Sequence, residues 1–93
     1  MSHQPRVESL TIFVRVVETG SFSNAARMLQ ITPSAISRSI ARLEKRLSTR
    51  LFQRSTRSID LTPAGKIYFQ RVCPILREIE AIEADIQSMD APS

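Results

Sequence analysis

The segment from Thr32 to Leu47, TPSAISRSIARLEKRL, constrains the fold of this chain more than any other segment. Thr32 is a favourable N-cap, and Pro33 follows at the first helical position, where the missing N–H costs nothing. Apolar side chains then recur at spacings of four, three and four, as on one stripe of an α-helix. That stripe consists of Ile36, Ile40, Leu43 and Leu47. The pattern predicts a helix that starts at Pro33 and buries one face.

The opposite face of this helix has small hydroxyl residues near its start and cations further along, without a large apolar residue or an acid. Its members are Ser34, Ser37, Arg38, Ala41, Arg42 and Lys45. Short side chains let a helix approach a polyanion closely, and the helix N-terminus adds partial positive charge and free N–H groups. The face therefore fits contact with nucleic acid, although the same pattern also occurs on helices that only face water.

The residues just before Thr32 favour the nucleic-acid interpretation. The sequence from Ser23 to Leu29 predicts a short helix capped by Ser23, and Gln30 and Ile31 form a tight connection to Thr32. A short helix, a tight turn and a longer basic helix make the helix-turn-helix plan, in which the second helix reads the major groove of DNA. We therefore predict a helix-turn-helix whose reading helix starts at Pro33.

The basic charge of the chain is concentrated in the predicted reading helix and the residues after it. The net charge is +4, but the stretch from Arg27 to Lys66 holds nine basic and two acidic residues. From Val72 to the C-terminus, one basic residue stands against five acidic ones. A basic stretch alone is usually solvated surface, whereas its coincidence with a helix-turn-helix is typical of nucleic-acid binding.

Several classes of function are disfavoured by the residues available. Cys73 is the only cysteine and His3 the only histidine, so no disulfide and no Cys/His metal cluster can form within one chain. There is no Gly-rich phosphate loop, and the hydroxyls of Ser34 and Ser37 have no nearby base. We expect no enzyme, no metal and no cofactor, and we interpret Cys73 as a packing residue rather than a redox sensor. The absence of a signal peptide or a membrane-length apolar run predicts a cytoplasmic protein without a membrane partner.

The first part of the chain predicts one further helix. Residues 1–6 are expected to form a disordered leader, and a helix is expected from about Val7 to Thr19, where Gly20 is a natural stop. Phe22 is expected to pack into the core just before Ser23. The apolar face of this helix is predicted to comprise Leu10, Phe13, Val14 and Val17, widened by Ile12 and Val16.

After Leu47, apolar residues recur at every second position instead of every third or fourth. Leu51–Arg54 and Ser58–Leu61 each alternate apolar and polar residues, which predicts two short strands with a polar tip between them. A hairpin directly after a reading helix is the wing of a winged helix. Its arginines, Arg54 and Arg57, are of the type that enters a narrow minor groove, although arginines in loops are commonly just solvated.

Thr62 and Pro63 predict the start of a last helix, which runs to about Met89. Pro74 lies inside it and is expected to kink it. Apolar residues with alternating spacings of four and three predict a coiled-coil contact with a second copy of the chain. These residues are Tyr68, Val72, Ile75, Ile79, Ile82, Ile86 and Met89.

In combination, four motifs resemble the N-terminal domain of LysR-type transcriptional regulators: GSFSNAA, SAISRSIARLE, RLFQR and LTPAG. The resemblance covers about residues 8 to 90. It implies a mainly α-helical fold with a small β-hairpin, namely a winged helix-turn-helix in residues 1–61 followed by a linker helix in residues 62–90. In that family the linker helix leads to an effector-binding domain and pairs two DNA-binding domains in antiparallel fashion.

The resemblance also implies roles for single residues. Thr32, Pro33, Ser34, Ser37 and Arg38 match positions that touch bases and phosphates, and the wing arginine matches Arg57. With Arg42 and Arg54 added, the predicted DNA-binding residues are Thr32, Pro33, Ser34, Ser37, Arg38, Arg42, Arg54 and Arg57.

Two departures from the family pattern limit what can be carried over. Many members have Gln-Pro where this chain has Pro33 and Ser34, so the glutamine that can read adenine is absent. Many have Gly where this chain has Ser48, which removes an easy left-handed C-cap and predicts a strained or differently built turn.

The resemblance implies a homodimer on an interrupted palindromic operator and a tetramer in the full-length protein. Because family members continue well beyond the linker helix, we expect this chain to be a fragment that lacks the effector domain rather than a truncated relative. The alternative function is a winged-helix protein-interaction module without DNA binding. The basic face argues against that alternative, because a protein interface should carry exposed apolar anchors.

Overall fold

The computed structural model describes residues 6–53 and 59–90. Four helices and one two-stranded antiparallel sheet follow one another along these residues. The elements are α1 (Arg6–Thr19), α2 (Phe22–Leu29), α3 (Pro33–Leu47), β1 (Phe52–Gln53), β2 (Asp60–Leu61) and α4 (Pro63–Asp90). The mainly α-helical fold with a small hairpin and a long last helix is thereby confirmed. Of the predicted leader, residues 1–5 lie outside the described residues and Arg6 belongs to α1.

The core lies where α1, α2, α3, β1 and the first half of α4 meet. Phe13 of α1 is completely buried at its centre. The ring of Phe13 lies 5.5 Å from that of Phe52 and 5.2 Å from that of Tyr68, the latter edge-on, between ring centroids. Both distances are in the range that favours aromatic pairs. One side chain thus joins α1, the wing and α4.

The buried face of α1 is wider than the sequence predicted. Ile12 and Val16, expected only to widen the stripe, are buried in the core with Phe13, whereas Leu10 and Val17 are half-buried. The reason is that α1 packs against α2, α3 and α4, so that more than one stripe of the helix is enclosed.

The prediction that Ser23 caps α2 is wrong. Ser21 is the N-cap: its Oγ accepts the N–H of Asn24 at 3.1 Å, and Ser23 is exposed within the helix. The earlier start makes Phe22 the first helical residue and brings its ring to 6.1 Å from Phe52. Two serines could serve as caps, and the one that lets Phe22 pack on the wing is used.

The helices α2 and α3 both end in left-handed turns without glycine. Gln30 (φ 60°) and Ser48 (φ 54°) adopt this conformation. After α3, Thr49 N–H donates to Glu44 O and Ser48 N–H to Lys45 O, both at 3.1 Å, which is the Schellman arrangement. The left-handed cap therefore persists at Ser48 in spite of the missing glycine, with the strain that a non-glycine residue carries there.

The last helix has a docked half and a projecting half. Thr62 caps it as predicted, because its Oγ1 accepts the N–H of Gly65 at 2.9 Å. The helix continues through Pro74 to Asp90, and every residue from 81 to 89 is exposed. Its 28 residues correspond to a length of about 42 Å, and the described chain extends over 51 Å.

Several residues of the predicted dimer contact belong to the core instead. Val72 is only 8% exposed, and Tyr68 is half-buried beside Phe13. Leu76, which the sequence pattern did not include, is 2% exposed. The predicted face is therefore rotated, because α1 uses the side of α4 that carries Val72 and Leu76. The exposed stripe of α4 consists of Ile67, Ile75, Ile82, Ile86 and Met89.

Candidate nucleic-acid interface

The outward face of α3 is held in place by its buried face. Ile36, Ile40 and Leu43 are essentially inaccessible to solvent, as predicted. Leu47, the fourth member of the predicted stripe, is an exception and is 37% exposed. With the helix fixed in this way, the predicted contact residues on it are all exposed. This reading face consists of Thr32, Pro33, Ser34, Ser37, Arg38 and Arg42.

The start of α3 presents two hydroxyls and one free amide. Thr32 Oγ1 accepts the N–H of Ala35 at 3.1 Å and lies 3.2 Å from Ser34 Oγ. Pro33 has no N–H, and the N–H of Ile36 is used by Thr32 O. Within the described residues, the N–H of Ser34 is therefore left for an outside acceptor, which suits a phosphate oxygen.

Arg38 of α3 differs from the arginines that join α1 and α4. Arg15 of α1 pairs with Glu18 at 3.1 Å and with Glu80 of α4 at 3.0 Å, and Arg77 pairs with Glu18 at 3.3 Å. The Cys73 side chain and Glu18 raise the pKa of Arg77. In residues 6–53 and 59–90, by contrast, Arg38 of α3 forms no ion pair. The charge of Arg38 is thus available to an external anion.

Glu44 is the one acid on α3, and no role was predicted for it from the sequence. It is buried, and its Oε2 accepts the N–H groups of Leu51 at 2.8 Å and of Phe52 at 3.2 Å. These bonds attach the first wing strand to the reading helix. The signal was its position four residues after Ile40, which places it beside the buried stripe.

The residues just before this strand are also attached to the start of α4. Thr62 donates its N–H to Leu51 O at 3.0 Å and its Oγ1–H to Arg50 O at 2.7 Å. A Cβ on Gly65 would overlap the carbonyl oxygen of Leu51, so only glycine allows α4 to approach so closely. Glu44 and Thr62 together fix the wing between the reading helix and the linker helix.

The base of the predicted wing is present, whereas its tip is not described. Phe52 pairs with Leu61 and Gln53 with Asp60 in the antiparallel ladder. Arg54 and Arg57 lie outside the described residues, so their assignment to DNA contact stays a prediction.

Two further findings concern metal binding and membrane-spanning helices. In the described parts of the chain, no three His, Cys, Asp or Glu residues lie together as metal ligands could. None of the helices in those parts is both long and apolar enough to span a bilayer.

Three packed helices, a helix-turn-helix with an exposed basic second helix, and a hairpin after it define a winged helix-turn-helix. Residues 7–66 match the family described as "Bacterial regulatory helix-turn-helix protein, lysR family". The chain belongs to this lysR family, as the sequence motifs indicated.

Curated relatives of the chain are longer regulators. The chain is 48% identical over 79 residues to HTH-type transcriptional regulator CrgA of Neisseria meningitidis serogroup B, covering 85% of this chain and 26% of CrgA. It is 41% identical over 85 residues to HTH-type transcriptional activator AaeR of Escherichia coli K12, covering 91% of this chain and 28% of AaeR. The chain thus spans about a quarter of the length of these relatives.

Solved structures share the fold over nearly the whole chain. The BenM DBD in complex with catB site 1 DNA superimposes with a TM-score of 0.82 at 30% identity, covering 94% of this chain and 98% of that one. CrgA from Neisseria meningitidis, a LysR-type transcriptional regulator, gives a TM-score of 0.71 at 43% identity, covering 95% of this chain and 29% of CrgA.

Proposed function

We propose that this chain binds double-stranded DNA sequence-specifically, as the DNA-binding domain of a bacterial transcription regulator with α3 in the major groove. The observation that carries the proposal is the reading face of α3, which is exposed and carries Arg38 without an ion pair among the described residues. The short side chains of Ser34 and Ser37 permit close approach to base edges. The likeness to the DNA-bound BenM DBD supports the same interface.

The residues of the reading face have different roles in this proposal. Ser34, at the start of the helix, offers a hydroxyl and an N–H to phosphate or a base edge, and Arg38 suits the two acceptors of a guanine. Arg42 lies one turn further along and suits a phosphate. Arg54 and Arg57 are proposed to enter the minor groove on the strength of the sequence alone.

The proposal includes a homodimer through α4 on an interrupted palindrome. One winged helix reads a single half-site, and two half-sites need a spacer of fixed geometry. The exposed stripe of α4 supports this, because Ile82 is 51% and Met89 is 81% exposed in a single chain. We further propose that a longer protein containing this domain forms a tetramer. That protein is proposed to be cytoplasmic and to have no catalytic activity.

A salt titration tests the electrostatic basis of DNA binding. If each dimer neutralises about 6–10 phosphates, affinity for random duplex should fall about 10³–10⁵-fold between 50 and 200 mM salt. Arg42→Gln should lower affinity and reduce the slope of log K against log salt by about 1 per subunit, because Arg42 is the residue proposed to contact phosphate. Fluorescence anisotropy with a labelled duplex measures both quantities.

Arg77→Gln is the matched control, because Arg77 is an exposed arginine of α4 that is paired with Glu18 and is not one of the proposed DNA-contact residues. It should leave the slope unchanged. Affinity that does not depend on salt, or equal effects of the two substitutions, would contradict the proposal. Those results would favour the protein-interaction module instead.

A further inference from the structure

An apolar groove lies between the end of the reading helix and the start of α4. It has a volume of about 350 Å³ and is lined by Leu47, Thr49, Leu51, Ala64, Ile67, Tyr68 and Arg71. Leu47 and Ile67 are 37% and 58% exposed, so two large apolar side chains face water beside the reading helix. Exposed apolar surface of this kind commonly marks a contact with another protein.

The groove is continuous with the exposed stripe of α4. Residues 67, 71, 75, 78, 82, 85 and 89 follow one another at spacings of three or four and therefore share one face of the helix. That face begins in the groove at Ile67 and ends at Met89. A partner that lies along the stripe must therefore also reach the groove.

The charges on this face favour a second copy in the reverse direction. Arg71 lies in the first half of the face, whereas Glu78 and Asp85 lie in the second half. Antiparallel pairing centred on Glu78 sets Arg71 of each chain opposite Asp85 of the other and leaves only Glu78 opposite its own copy. Parallel pairing would oppose like charges at all three positions, and like charges in direct apposition are unfavourable.

The same register brings the end of one α4 to the groove of the other chain. With Arg71 opposite Asp85, Ile75 lies opposite Ile82, and Ile67 lies opposite Met89. Within one chain, Ile67 and Met89 are separated by 22 residues of continuous helix, or about 33 Å. A chain therefore cannot fill the groove with its own Met89.

We propose that the groove beside the reading helix receives the last turn of α4, with Ile86 and Met89, from a second copy of this chain. This inference rests on the proposed homodimer and adds a contact that α4 pairing alone does not require. Because Leu47 is the last residue of α3, each reading helix is then supported by the partner as well as by its own core. Formation of the dimer thus adds a contact at the end of a reading helix that its own core already holds in place.

Disulfide trapping tests the contact directly. Leu47→Cys combined with Met89→Cys, in a Cys73→Ser background, should give covalent dimers on mild oxidation, because a disulfide requires Cα atoms within about 7 Å. The control combines Leu47→Cys with Ser88→Cys, which lies on another face of the same turn and is exposed. The control pair and each single cysteine should give at least tenfold less covalent dimer on a non-reducing gel.

Sedimentation of the unmodified chain tests the homodimer separately from the contact in the groove. A monomer at tens of micromolar would overturn the homodimer and with it the occupant of the groove. A dimer in which the Leu47/Met89 pair forms no more disulfide than the Leu47/Ser88 pair would overturn the groove contact alone. As a second measurement, Met89→Glu should weaken dimerisation at least tenfold and Ser88→Glu less than twofold, and equal effects would also overturn the contact.

Discussion

At the scale of single residues, side chains outside the reading face decide whether that face is correctly placed. Glu44, Thr62 and Gly65 hold one short stretch, Arg50–Phe52, from two sides. Glu44 accepts the N–H groups of Leu51 and Phe52, and Thr62 donates to the carbonyl oxygens of Arg50 and Leu51. These four backbone groups therefore all have partners. Buried backbone groups that lose their partners are costly, which makes these positions sensitive to substitution.

Glu44→Leu should destabilise the domain by about 3 kcal/mol, because it leaves the buried N–H groups of Leu51 and Phe52 without an acceptor. The measurement is the free energy of unfolding in urea. Glu83→Leu removes an exposed acid from the projecting half of α4 and serves as the control, with an expected change of less than about 0.5 kcal/mol. Equal stabilities of the two variants would show that the Glu44 carboxylate does not hold the strand.

Gly65→Ala should be more damaging than Gly20→Ala. Its new Cβ would overlap the backbone oxygen of Leu51, which cannot move without breaking the bond from Thr62. Gly20 has open space around the site of a Cβ and only a positive φ of 72°, so alanine should cost about 1 kcal/mol there. We expect a loss of at least about 2 kcal/mol for Gly65→Ala in thermal or urea unfolding. A smaller loss than for Gly20→Ala would contradict the close approach of α4 to the wing.

At the scale of elements, the start of a helix could be predicted from the sequence where the residues that determine it lie within or next to that helix. The start of α3 was predicted correctly because Thr32, Pro33 and the isoleucine stripe act within the helix itself. The start of α2 was predicted wrongly because Ser21 and Ser23 are both good caps, and the choice depends on the distant ring of Phe52.

The contact face of α4 shows the same limit. The helix carries two neighbouring apolar stripes, and the sequence does not state which one α1 uses. In the structure α1 takes Val72 and Leu76, which leaves Ile75, Ile82 and Ile86 exposed. The exposure of the reading face could be predicted from the sequence, because a helix with one apolar stripe can be buried in only one way. The role of Glu44 could not be predicted, since its partners are backbone groups that are adjacent only after folding.

Ile82→Asp should convert the dimer to a folded monomer, because it places a charge at the middle of the exposed stripe of α4 while touching no part of the core. Sedimentation equilibrium reports the association, and circular dichroism reports the fold. Ala81→Asp is the matched control, since it adds the same charge to the adjacent residue on a different face of the helix. A monomer produced by both variants would indicate a general charge effect, and a dimer retained by Ile82→Asp would place the interface elsewhere.

At the scale of the whole molecule, charge is separated between the two ends. The reading helix and its surroundings are basic, whereas the projecting half of α4 carries Glu83 and Asp85. The projecting half should therefore point away from phosphates, while the basic face turns toward them. This polarity orients the domain on DNA before any base is read.

Sequence-specific binding is tested most directly by selection from random duplexes. The unmodified chain is used to enrich bound DNA over several rounds, and its affinity for the enriched duplex is compared with that for a scrambled duplex at about 150 mM salt. The enriched duplex should contain two related half-sites in inverted order and bind at least about 10³-fold more tightly than the scrambled one. Arg38→Gln should reduce this ratio. If no sequence is enriched, or the two duplexes bind equally, α3 does not read DNA sequence and the proposed function is wrong.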